Sequence, residues 1–138
     1  MREDVLLRVL TAVFGQVAKT TIDLEQAAAT YDLFIGADED VLLEKLVIRL
    51  PDVDCSDDAA ITSISIQTDD TTPEELISVA TGDVANLTAE AQLSWTGAII
   101  IKVGTKIQLT IAGGAADDPT VCDVVAKCRA VVAGGSLE

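Results

Sequence analysis

The chain reads as mainly β: a β-sandwich or jelly-roll-like domain of about eight short strands, preceded by an N-terminal amphipathic α-helix. Three observations predict this. Short apolar runs alternate with period two, most regularly in KVGTKIQLTIAGG, where Val103, Thr105, Ile107, Leu109 and Ile111 share one parity and Lys102, Lys106, Gln108 and Thr110 the other. Hydrophobic residues make up 49% of the chain but aromatics only 3%, so Val, Ile, Leu and Ala must fill the interior, a mix that suits pleated, half-buried surfaces. Turn-forming clusters separate the runs at strand-length intervals. At 138 residues the chain suits one domain burying roughly two thirds of its unfolded surface.

The elements follow in order. Over residues 3–14, Leu6, Val9, Leu10, Val13 and Phe14 recur at helical spacing and Gly15 offers a stop. About a dozen residues make a marginal isolated helix, so this stripe is expected to dock on the body or on copies of itself. The division is therefore a helix over 1–15, a β-sandwich over 16–133 and a flexible tail over 134–138, whose Leu137-Glu138 end resembles vector-derived sequence and is set aside. Residues 18–24 place Thr20, Ile22 and Leu24 on one face, and Tyr31, Leu33 and Ile35 repeat the pattern before the GADED turn. The run VLLEKLVIRL over 41–50 is apolar on both parities, as for a central strand covered on both sides, and Pro51 ends it. Glu44, Lys45 and Arg49 within it imply that part of the cover is polar or shared with a neighbour.

Ile64 and Ile66 alternate with Ser63, Ser65 and Gln67 up to an Asp69-Asp70 turn. TTPEEL carries a helix-start signature with Thr72 as cap, Pro73 next and Glu75 third. Because strand-like LISVA follows at once, a single turn is expected there. Another short turn is expected at 88–91, then strands over 98–103 and 105–112. The final VCDVVAKCRAVV has small apolar residues on every even position from Cys122 to Val132, with Asp123, Lys127 and Arg129 odd. Strand fits this better than helix.

The formal net charge is −14, and no Lys or Arg lies between Arg49 and Lys102. Such acidity repels phosphate backbones, since nucleic-acid affinity rests on Lys and Arg displacing counterions; nucleic acid and anionic membranes are not expected partners. It also keeps an apolar-rich chain in solution. No stretch is long and uncharged enough to span a bilayer, and Glu3, Asp4 and Arg8 interrupt what would otherwise resemble a signal peptide. Three cysteines, Cys55, Cys122 and Cys128, form no short pair, so they are read as apolar fillers in a reducing compartment.

Candidate chemistry is sparse. The chain has no histidine, which removes the usual neutral-pH base and commonest zinc ligand. Paired carboxylates could still hydrolyse a glycoside, but Trp95, Tyr31, Phe14 and Phe34 are the whole supply of aromatic platforms. DVDCSDD resembles the opening of a calcium loop, making Asp52, Asp54, Asp57 and Asp58 the metal candidates. Asp57 then stands where Gly is needed and Ser63 where a closing Glu should be. The glycines of GTK and AGG match no phosphate-loop pattern, so no cofactor is expected. Lys102 and Lys106 belong to a solvated face or to a contact with a neighbouring subunit's acids.

The amphipathic start, TTIDLEQAAATYDLFIGADEDVLLEKLVIRLP, ANLTAEAQLSWTG and KVGTKIQLTIAGG together resemble the small structural proteins of tailed-phage and prophage morphogenesis clusters. The resemblance implies a non-enzymatic β-sandwich of head-decoration, head-fibre or neck-tail type. It implies a homo-oligomer, with a trimer as the expected state, that contacts other virion proteins and assembles in the bacterial cytoplasm. Leu6, Val9, Leu10, Val13 and Phe14 are then the expected oligomer interface. Two other readings stand beside it: a ligand- or calcium-binding β-sandwich module, and a carboxylate-dependent hydrolase.

Overall fold

A computed structural model of the chain describes residues 15–131 and 133–138. The helix expected over 1–15, with its stripe Leu6, Val9, Leu10, Val13 and Phe14, falls on residues outside that range apart from Gly15. The described chain runs through nine strands: β1 (Gln16–Asp23), β2 (Thr30–Ala37), β3 (Val41–Arg49), β4 (Ser63–Thr68), β5 (Glu75–Ile77), β6 (Gln92–Ile101), β7 (Lys106–Ala112), β8 (Val121–Ala130) and β9 (Ser136–Leu137). A single 3-10 turn, Val84–Asn86, precedes β6 and is capped by the Asp83 carboxylate, which accepts from the Ala85 amide.

The strands form two sheets, ordered β1-β8-β3-β6 and β5-β4-β7-β2-β9. β1 pairs antiparallel with β8, β2 with β7, β3 with β6 and β4 with β5. The chain is thus one long hairpin folded over itself, and the β3-β8 and β4-β7 pairings close each sheet. This is the eight-strand jelly-roll arrangement, with β9 added beyond β2. The expected mainly-β sandwich is therefore the observed architecture, and the segment over 121–130 is a strand.

The core lies between the sheets. Leu43, Leu46, Ile48 and Val124 from one sheet meet Ile64, Ile66, Ile107 and Leu109 from the other, all fully buried. β7 and β8 keep one parity inward along their whole length, Ile107, Leu109 and Ile111 in the first and the even residues 122–130 in the second. Each is a regular strand with one face on the core and one turned away.

Four expectations are corrected. The two apolar parities of β3 do not reflect cover on both sides. An irregularity between Leu43 and Lys45 turns the strand, so Val41 and Leu43 point inward before it and Leu46 and Ile48 after it. β2 behaves the same way: an irregularity between Asp32 and Phe34 buries Leu33 and Phe34 together and turns Ile35 outward. Thr72 caps nothing helical; Thr68 takes the role across the turn, its hydroxyl accepting from the Glu74 amide at 2.8 Å, and β5 begins at Glu75. Residues 134–138 are not a free tail. Ser136–Leu137 adds to β2 as β9, Leu137 is buried, and Glu138 exchanges backbone bonds with Ile35 at 2.7 and 2.9 Å. The Gln16 side-chain amide donates to the Gly135 carbonyl, fastening this end to β1.

All three cysteines are free and buried. Burial pushes the Cys55 and Cys128 thiols up, and pushes Cys122 from an ordinary value near 9 to about 12, with Cys55, Asp23 and Asp123 adding to the effect. A thiol whose pKa rises on folding contributes stability that is intact below the unfolded value and is lost as pH climbs toward the folded one. Unfolding should therefore become easier between pH 9 and 12, by at most about 1.4 kcal/mol per pH unit from this group. Urea midpoints on both sides of that lower bound, in the parent and in Cys122→Ala, measure it: the substitution should flatten the alkaline fall.

Candidate functional site

Two surfaces of opposite character stand out. The first is one end of the sandwich, where the loops over 24–29, 50–62, 78–91 and 113–120 converge. Backbone bonds tie them together: Leu24 N–H to Thr120 C=O at 3.0 Å, Ala116 N–H to Leu24 C=O at 2.9 Å, Cys55 N–H to Leu87 C=O at 2.8 Å and Glu90 N–H to Pro51 C=O at 2.9 Å. Asp23 braces the end of β1, its Oδ1 accepting from the Glu25 and Thr120 amides at 2.9 and 3.0 Å. The four loops carry nine Asp and Glu and no Lys or Arg. The nearest cation to enter is Arg49 at the end of β3, which meets Glu90 at 3.5 Å.

The calcium candidates lie in this end but serve the loops themselves. Asp54 accepts from the Ser56 amide at 2.9 Å, a bond that holds its carboxyl below the ordinary range. Asp58 accepts from the Asp117 amide at 3.3 Å. Asp52 and Asp57 are exposed. Among the described residues no three His, Cys, Asp or Glu side chains converge as a metal cage. The structure thus brings Asp52, Asp54, Asp57 and Asp58 to one end without assembling them around a point.

The second surface is the outer face of the β1-β8-β3-β6 sheet. Alternation turns Val17, Lys19 and Thr21 of β1 outward, with Val121, Asp123, Val125, Lys127 and Arg129 of β8. The irregularity in β3 sends Lys45, Val47 and Arg49 to the same side. Register sets them in rows: Val17, Lys127, Lys45 and Thr96 across the four strands, then Lys19, Val125, Val47 and Ser94, then Thr21, Asp123, Arg49 and Gln92. Five of the seven Lys and Arg among the described residues are on this face. Arg129 Nε meets Glu44 at 3.4 Å.

The outer face of the other sheet is different, because its polar groups satisfy one another. Lys106 Nζ lies 3.1 Å from Asp32, and Gln108 Nε2 donates to the same carboxylate at 2.8 Å. The Gln108 bond first, then Lys106, holds the Asp32 carboxyl below its ordinary value. Thr30 and Thr110 share a hydroxyl bond at 2.9 Å. Lys106 thus finds its acid within its own chain, and Lys102 is exposed in the turn before β7.

Sequence reading located the acidic loops but missed the basic face, since its members sit on three strands remote in sequence. Among the described residues no helix is long and apolar enough to cross a membrane.

No family model matches the chain, and no curated protein matches it. Solved structures do. A chain of the cyanophage Pam1 capsid asymmetric unit superposes with a TM-score of 0.54 at 16% identity, over 83% of this chain and 84% of that one. The acidic stable capsid structure of Helicobacter pylori bacteriophage KHP30 contains a chain that superposes with a TM-score of 0.50 at 11% identity, over 90% of this chain and 92% of that one. The likeness is one of fold.

Proposed function

We propose that this protein is a non-enzymatic structural component of a tailed-phage or prophage virion, acting by self-association and by docking on a capsid or neck-tail surface. One observation carries the reading: the jelly roll matches chains from two phage capsids over most of both partners, 83% and 84% in one case and 90% and 92% in the other. Coverage that reciprocal means the matched chains are of similar length, so the likeness is to whole small chains and not to a module within a larger one. The surfaces support the same reading. The acidic end and the basic face each spread charge over several elements, as suits contact with a complementary surface.

In this reading residues 1–15 form a separate helical element that carries Leu6, Val9, Leu10, Val13 and Phe14 to a symmetric oligomer, a trimer being the state proposed, and assembly takes place in the bacterial cytoplasm. Closed symmetry would also cover sheet edges that otherwise invite aggregation. Among the described residues β6 is such an edge, pairing with β3 alone.

The test is the particle itself. Particles purified from a host that carries the gene should contain the chain in many copies, and a version lacking residues 1–15 should be incorporated far less. Particles without the chain would overturn the virion assignment; full incorporation of the shortened chain would overturn the role of the N-terminal stripe.

A further inference from the structure

Lys45 and Lys127 are direct register partners on the outer face of the β1-β8-β3-β6 sheet. Like charges placed opposite each other across strands are unfavourable, and in a chain of net charge −14 a carboxylate at either position would be the ordinary outcome. Lys19 adds a third ammonium: its register partner is Val125, two residues from Lys127 on the same face, a diagonal that long side chains span. Among the described residues the ion pairs are Arg49 with Glu90, Lys106 with Asp32 and Arg129 with Glu44. None of the three clustered lysines belongs to them. Beside the cluster lie Val125 and Val47, register partners and half-buried, and Val17, which is 65% exposed. Among the described residues the face is therefore an apolar strip fringed by three lysines without an ion pair, with Asp123 in the next row as the acid beside them.

We infer that this face receives the acidic loop end of a second copy of the same chain. Charge complementarity argues for that occupant: the four converging loops present nine carboxylates and no cation, among exposed small residues such as Ala59, Ala60 and Pro119 that can approach a flat sheet closely. The acidic end lies at the tips of the strands and the basic face on their flank, so the contact joins unlike patches, end of one copy on flank of the next. Reciprocated it makes a two-fold pair, and otherwise it runs head-to-tail and closes into a ring when the rotation between copies permits. Nucleic acid is the less favoured occupant, because the charge of the rest of the molecule repels a phosphate backbone.

The inference deepens the structural role proposed above and rests on the self-association it requires. The experiment uses the full chain in sedimentation velocity at roughly 0.05 M and 0.5 M NaCl, since exposed charge pairs weaken as the screening length falls. Two variants are compared, Lys45→Glu with Lys127→Glu, and Asp52→Lys with Asp57→Lys. All four positions are exposed, and melting curves confirm that each variant folds; Lys45→Gln with Lys127→Gln replaces the first if it does not. The parent should associate more strongly at low salt. Each variant alone should lose at least about tenfold in association, and an equimolar mixture of the two should recover it, because each reversed patch then meets its complement.

A parent oligomer that both reversals leave intact, or a mixture that recovers nothing, overturns this surface while leaving the structural role standing. A parent that stays monomeric at every concentration overturns both. Binding of a short DNA duplex that the lysine reversal abolishes, with self-association unaffected, assigns the face to nucleic acid and overturns the proposed occupant.

Discussion

Leu46→Asp should abolish cooperative folding, whereas Lys45→Asp at the adjacent position should change stability by no more than about 1 kcal/mol. Leu46 is fully buried, in register between Trp95 of β6 and Ala126 of β8. Truncating such a residue to Ala alone costs about 2–5 kcal/mol through lost burial and the cavity left behind. A carboxylate adds the penalty of an unpaired charge in a site without a cation, a further several kcal/mol, relieved only in part by taking up a proton. Against a total stability of about 5–15 kcal/mol, the sum is enough to unfold the chain. Lys45 is exposed on the opposite face, opposite Lys127, where an acid relieves a like-charge pair. Urea denaturation followed by circular dichroism distinguishes the two. The pair also tests the turn in β3: had the strand alternated without interruption from Val41, position 45 would face the core and 46 the solvent, and the two outcomes would exchange.

That strand shows where sequence reading stops. β7 and β8 were legible because nothing interrupts their pleat, so the chemical alternation and the geometrical one coincide. β2 and β3 were not, because an irregularity reverses every later side chain, and no residue type at Leu33 or Glu44 announces one. The helix-start signature at Thr72 failed for a related reason: Thr68, across the turn, supplies the same hydroxyl-to-amide bond to a hairpin. The acidity of the loops could be read off the chain, but their meeting at one end could not, since that depends on pairing β1 with β8 and β3 with both β8 and β6. The lysine cluster is the extreme case. Lys19, Lys45 and Lys127 have ordinary local surroundings, and only the β1-β8-β3 order makes them neighbours.

The nested hairpin also explains why charge segregates. Strands that run out and back place alternate connections at alternate ends, so the loops after β1, β3, β5 and β7 all collect at one end. Two of those connections, 50–62 and 78–91, lie in the long cation-free stretch between Arg49 and Lys102, and 24–29 and 113–120 add further acids without a cation. The same stretch also sends Asp69, Asp70 and Glu74 to the opposite end in the β4-β5 turn. The flank of the first sheet is drawn instead from β1, β3 and β8, where the basic residues lie. A distribution that looks merely acidic along the chain becomes two-sided in space.

Gly82→Ala should lower stability by about 3–5 kcal/mol, a larger loss than its small change in volume suggests. A Cβ at this position would stand 1.8 Å from the Ile64 carbonyl oxygen and 2.8 Å from its carbon, so a backbone must move. The two segments are tied at that point: Ile64 N–H donates to Gly82 C=O at 2.8 Å, Val84 N–H to Thr62 C=O at 3.0 Å, and Ser63 bridges to Asp83. Separating them enough to admit a methyl group breaks these bonds and pulls the Val84–Asn86 turn from the start of β4, beside which Leu87 is fully buried. Gly104→Ala is the matched control. Gly104 has a φ of +86°, and nothing lies within 4 Å of the place its methyl group would take, so it loses only the conformational term, about 1 kcal/mol. Thermal and urea denaturation of both variants decide the matter: comparable losses at the two positions would mean that the backbone at Ile64 yields to the methyl group and that the close approach of Gly82 to β4 carries little of the stability.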